Sequence, residues 1–152
     1  MPEQATRERA AKAKREGKAP TTQAGEYVRE EIEHIREGKH GARSAKQAIA
    51  IGLSKARRAG VKLPKPPATA TERTKQSAAS ADRAAKRGGT KRPSRTRARA
   101  AEKALKREGR AAASKTALSR HAKAVAKRRS PSARKASARK AAKTRRRRAA
   151  AE

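Results

Sequence analysis

Between Thr21 and Gly60 the larger apolar residues recur with helical spacing. Ala24, Val28, Ile32 and Ile35 fall at i, i+4, i+8 and i+11, with Tyr27 beside them, which predicts an amphipathic helix. Thr21 or Thr22 suits its N-cap and Gly38 its stop. A second helix is expected from Ser44, where Ser-Ala-Lys-Gln fits a capping box and Gln47 reaches back to the cap backbone. Ala45, Ala48, Ile49, Gly52, Leu53, Ala56 and Ala59 share one side of it, and Gly60 followed by Val61 reads as a glycine stop with a hydrophobic clasp. The pattern therefore predicts a helical hairpin over about 22–60, packed through Val28, Ile32, Ile35, Ile49 and Leu53. Ala48, Gly52 and Ala56, four apart, allow a facing backbone to come close. Ile51 points roughly 160° away from Ile49, so one hairpin cannot bury both. The expectation is that the hairpin dimerises, or packs against the N-terminal basic segment; sedimentation as a monomer would exclude the dimer.

The first helix also carries Glu26, Glu30, Glu33 and Glu37 in an acidic stripe at i, i+4, i+7 and i+11. A solvated face is the simpler expectation. The alternative is a seat for the basic tail or for a neighbouring copy.

Composition changes the picture outside this segment. Only eleven of 152 residues are Leu, Ile or Val, with no Phe, Trp or Cys, well below the ~20% under which highly charged chains tend to be disordered. Forty-five Lys and Arg against thirteen Asp and Glu give a net charge of +32. Of this, +25 lies beyond Leu63, where Pro64, Pro66 and Pro67 favour an extended connection. SARKA occurs twice, at 132–136 and 137–141, and RERAAKAKREGKA at 7–19 returns with two inserted residues at 97–111. Neither copy of this longer unit is expected to bury itself. The sequence thus predicts a mostly disordered chain with a small all-α module: a basic, helix-prone N-terminal segment (1–20), the hairpin (21–63), and a disordered Lys/Arg/Ala-rich tail with transient helices (64–152).

The stretch TQAGEYVREEIEHIREGKHGARSAKQAIAIGLSKARRAGVKLP, residues 22–64, resembles a family of small basic bacterial proteins with a domain of unknown function, in which a KQAIAIxLSxAR-like motif recurs. That resemblance implies no activity. By composition alone the tail is similar to those of bacterial linker-histone-like proteins and of the histone-like alginate regulator family, which implies DNA binding.

Charge points the same way. Cations on phosphates release condensed counterions, giving strong, salt-sensitive binding largely indifferent to sequence. The expected contacts are Arg92, Arg95, Arg97, Arg99, Lys103, Lys106, Arg107, Lys127, Arg128, Arg129, Arg134, Lys135, Arg139, Lys140, Lys143, Arg145, Arg146, Arg147 and Arg148. With Tyr27 the sole aromatic, there is no stacking platform for single strands, which favours duplex DNA while leaving RNA possible. The loop GKHGAR precedes a helix N-terminus, so Lys39, Arg43, Ser44 and Lys46 are candidate phosphate contacts, with a polar turn the equal alternative. Glu31 and His34 have Glu-x-x-His spacing, but di-iron sites need a second such pair and two more carboxylates. No metal site, no cofactor and no catalysis are therefore expected. His34 reads instead as a cation near a helix C-terminus. Ser130-Pro131 amid basic residues reads as a chain breaker, or as a phosphorylation site that would weaken DNA binding.

No apolar run is long enough to span a bilayer, and a membrane-surface role is disfavoured because the tail lacks large apolar residues. The expectation is a cytoplasmic, nucleoid-associated, histone-like protein that neutralises and compacts or bridges duplex DNA. The alternatives are an RNA- or ribosome-associated basic protein, or an adaptor whose hairpin docks a protein partner or a second copy.

Overall fold

The computed structural model describes residues 2–88 and 94–150. Among them are seven α-helices: α1 (Gln4–Arg15), α2 (Pro20–Arg36), α3 (Ala45–Arg58), α4 (Glu72–Lys86), α5 (Arg95–Lys106), α6 (Lys115–Arg128) and α7 (Pro131–Ala149), with a 3-10 turn at Ala111–Ala113. The expectation of a mostly disordered chain is overturned: helices run through both the N-terminal segment and the basic tail. The physical reason lies in alanine, a strong helix former. Counting Leu, Ile and Val missed a core made largely of methyl groups.

That core lies in the first of two compact units, Met1–Ala117, and has two parts. In one, Ala10 of α1 meets Ala24 and Tyr27 of α2, Ala56 of α3 and Val61, with Leu63 against them. In the other, Ile35, Ala42 and Ala48 pack with Ala112 and Ala113, and Ile32 lies alongside. Small side chains let backbones approach. A Cβ at Gly52 would lie 2.6 Å from the Cα of Val28, so α2 and α3 touch through main chain where Ala48, Gly52 and Ala56 were expected to allow it.

The expected hairpin is therefore present, with adjustments. The first helix begins at Pro20 with no side-chain cap, so neither Thr21 nor Thr22 plays that part. Proline at the first helical position has no N–H to satisfy there. Gly38, at φ 80°, ends the helix as expected, with Lys39 N–H donating to the His34 carbonyl at 3.0 Å. Ser44 caps α3 by accepting from Gln47 N–H at 3.2 Å. The Gln47 side chain reaches back one residue further than the motif places it, accepting from Arg43 N–H at 2.9 Å. Val61 N–H closes the other end on the Ala56 carbonyl at 3.1 Å. Of the expected packing residues Ile35 is fully buried, Val28, Ile32 and Ile49 are half-buried, and Leu53 is exposed. Ile51 is half-buried as well.

The N-terminal segment does pack: α1 lies on α2, burying Thr6, Ala10 and Ala13. The first copy of the longer repeat thus packs, contrary to expectation, because Ala10 and Ala13, three apart, share the face that meets α2. Beyond Leu63 the chain has no regular secondary structure to Pro67, yet the fold continues, with α4 packed on α3. Arg57, nearly buried, fastens this region. Its guanidinium donates to both Asp82 carboxylate oxygens at 3.0 and 3.1 Å and to the Leu63 and Pro64 carbonyls at 3.4 and 2.6 Å. The second unit, Leu118–Glu152, consists of most of α6 and all of α7. Among the described residues no helix is long and apolar enough to cross a membrane.

Candidate functional site

The basic residues form exposed helical arrays. On α5, which buries nothing, Arg95, Arg97, Arg99, Lys103 and Lys106 all face solvent, as does Arg107 just beyond; Lys106 pairs with Glu102 at 2.8 Å. Lys127 and Arg128 end α6, which also buries nothing. Arg129 folds over the start of α7, donating to the Ala133 carbonyl at 3.2 Å and to the Ser137 hydroxyl. Ser130-Pro131 breaks the helical chain between α6 and α7, as expected, and Ser130 also starts α7 by accepting from Ala133 N–H at 3.2 Å.

On α7, Arg134, Lys135, Arg139, Lys140, Lys143, Arg145, Arg146 and Arg147 are exposed, and Arg148 continues the helix. At about 100° per residue these positions fall on every side of the helix, and a 19-residue helix is about 28 Å long. Neither SARKA repeat has a buried face. From Gly109 to Ala151 the sequence contains no Asp or Glu. Arg92 lies outside the described residues.

The loop between α2 and α3 is built differently from a free phosphate cradle. Gly41 N–H donates to the Leu105 carbonyl at 3.0 Å and Ala42 N–H to the Gly109 carbonyl at 3.2 Å. Arg36 Nε donates to the Ala113 carbonyl at 2.9 Å. Residues 105–113 of the expected tail thus dock on the hairpin loop, and the amides at 41, 42 and 43 are already engaged. Of the expected phosphate contacts, Arg43, Ser44 and Lys46 are exposed at the start of α3, whereas Lys39 pairs with Glu37 at 3.0 Å and Glu3 at 3.3 Å.

The acidic stripe on α2 comes apart in three dimensions. Glu26 meets Arg9 of α1 at 2.9 Å, and Glu33 meets Arg29 at 2.8 Å, which holds the Glu33 carboxyl below the usual range. Glu37 meets Lys39, whose ammonium that pairing pushes up. Glu30 turns inward and with Glu31 is buried, at 2% and 1% exposure. Both face Lys55 of α3, whose Nζ lies 3.6 Å from Glu30 Oε1 and 2.5 Å from Glu31 Oε2. His40 Nε2 lies 3.2 Å from Glu31 Oε1. His34 Nε2 lies 2.8 Å from Glu3 Oε1, and this hydrogen bond, with Lys39 beside it, holds the Glu3 carboxyl low.

Sequence reasoning missed this cluster. Glu31 and His34 were visible as a spaced pair, but His40 joins them only because Gly38 turns the chain, and Lys55 only because α3 packs on α2. Lys55 falls at a variable position of the KQAIAIxLSxAR-like motif, so the motif gave no signal for it.

Residues 13–66 match the model of a family of unknown function, DUF6496. The matched stretch takes in the end of α1, all of α2 and α3, and the Arg57 clamp on Leu63 and Pro64. No curated protein and no solved structure matches the chain.

Proposed function

We propose that the protein binds duplex DNA without reading its sequence, through the exposed cations of α5, α6 and α7, and thereby neutralises and compacts it. The observation that carries this reading is α7: nine Lys and Arg distributed around a helix with no acidic residue. Such a helix gains nothing from its own packing and repels itself, and polyphosphate relieves that repulsion while releasing counterions. The cations surround the helix instead of marking one edge, which suits backbone neutralisation rather than base readout.

The test is binding of the full chain to duplex DNA and to duplex RNA across a salt series, alongside a variant with Arg145→Ala, Arg146→Ala, Arg147→Ala and Arg148→Ala. About ten phosphate contacts give a log K against log salt slope of about −9, and loss of four should make it shallower by about 3 to 4. Weak binding with a slope near zero, or one untouched by the substitutions, overturns the reading. Tighter binding to RNA at equal salt replaces DNA by RNA as the ligand.

A further inference from the structure

We propose that Glu31, His34 and His40 form a binding site for a divalent transition-metal ion, with zinc the best match. One donor atom from each of the three lies within 4.8 Å of the others. Glu31 and His34 stand three apart on α2, which puts them on one face, and His40 comes from the loop beyond Gly38.

His40 is the informative residue. Its Nδ1 lies 3.1 Å from the Gly41 carbonyl oxygen. A carbonyl only accepts, so Nδ1 carries the hydrogen. Its Nε2 then faces Glu31 Oε1 at 3.2 Å, where a neutral ring would set lone pair against carboxylate. A cation between the two atoms resolves this. Two ligands at 2.0–2.1 Å from a tetrahedral zinc lie roughly 3.3 Å apart, close to the spacing seen. A backbone carbonyl on the far nitrogen is also the usual outer support of a metal-bound histidine.

The charges agree. Glu30 and Glu31 are both buried and share the single ammonium of Lys55, leaving a buried negative charge that is costly unless another cation joins it. Lys55 engages Glu31 through Oε2, so Oε1 remains directed at His40. One protonated imidazole would also offset the charge, but a proton requires only one histidine. Here two rings approach edge-on, with centroids 6.2 Å apart, and Glu3 Oε1 accepts from His34 Nε2 at 2.8 Å, which leaves Nδ1 of that ring as the ligand atom and makes Glu3 its outer support. Two imidazoles and a carboxylate without thiolate suit zinc. A metal held there would staple α2 to the loop that receives residues 105–113.

The test uses the full chain, stripped with chelator and titrated with zinc against a competing zinc indicator, and separately with cobalt(II) followed by visible absorption. Expected are one saturable equivalent, ligand-field bands with cobalt, and zinc-induced thermal stabilisation. Outer supports alone are worth about 10–100-fold, so His40→Ala or His34→Ala should weaken binding about 100-fold, while His121→Ala leaves it unchanged. His40 lies at the rim, so its variant is the milder one should Glu31→Gln fail to fold. Circular dichroism checks each variant. Absence of a saturable equivalent, or undiminished, wild-type affinity in the folded His34 and His40 variants, overturns the proposal in favour of a protonated histidine.

Discussion

Gly41 gives its backbone N–H to the Leu105 carbonyl at 3.0 Å, tying the hairpin loop to the end of a helix from the basic half of the chain. The contact is close enough to depend on the missing side chain: a Cβ at Gly41 would lie 1.8 Å from the Glu108 carbonyl oxygen. The glycine is required by this approach and not by its own conformation, because its φ is not positive.

Gly41→Ala should therefore release residues 105–114 from the hairpin and destabilise the first unit by about 1–3 kcal/mol, the usual range for overpacking. Hydrogen exchange should accelerate at 105–114 while α1 keeps its protection. Gly25→Ala is the matched control. Gly25 lies inside α2 with open space where a Cβ would go, so alanine should stabilise by about 0.5–1 kcal/mol.

Arg57→Met keeps the aliphatic stem but removes the fork that holds Asp82 and the Leu63 and Pro64 carbonyls. The expected loss is about 1.5–3 kcal/mol, the usual range for hydrogen bonds to a charged group. Asp82 is 42% exposed and rehydrates readily, so Asp82→Asn alone should cost less, about 0.5–1 kcal/mol. Urea melts of the two single variants and the double variant measure the coupling. A loss in Asp82→Asn as large as in Arg57→Met would place the energy in the ion pair instead of the carbonyl clamp.

Tyr27 is the sole aromatic side chain of Phe, Trp or Tyr type, so phenolate absorbance follows it alone. Burial pushes its hydroxyl above the ordinary value. The folded value then exceeds the unfolded one. The stability tied to the neutral ring is complete below the unfolded value of about 10 and disappears as pH rises through the folded one. Alkaline titration should show Tyr27 ionising later than free tyrosine, in step with loss of helix. Ionisation at the free value with the helices intact would contradict its burial.

The hairpin was legible because its signals are local. Ser44, Gly38 and Gly60 act through hydrogen bonds within a few residues, and Ile35 follows a helical period. The order of the rest was not legible through large hydrophobes, since Ala10, Ala13, Ala81, Ala112 and Ala113 are buried without a bulky side chain to announce them. The acidic stripe was visible as a spacing, but a solvated face was the simpler expectation and Glu30 is buried, so its inward member could not be told from its outward ones. Glu30 and Glu33 differ only in what packs above them: Glu30 accepts from Glu3 N–H and faces Lys55, while Glu33 meets Arg29 near solvent.

By itself the sequence determined the helical hairpin, its glycine stops and the Ser44 cap, and the concentration of cations beyond Leu63, because periodicity, capping and charge are carried by neighbouring residues. The N-terminal segment was one of two expected partners of the hairpin, and the fold lays α1 on α2; tertiary structure alone decided that residues 105–113 close over the hairpin loop and that Glu31, His34 and His40 meet beside Lys55. Those relationships depend on backbones approaching across long separations in the chain. Alanine and glycine permit that approach, but they do not encode where it occurs.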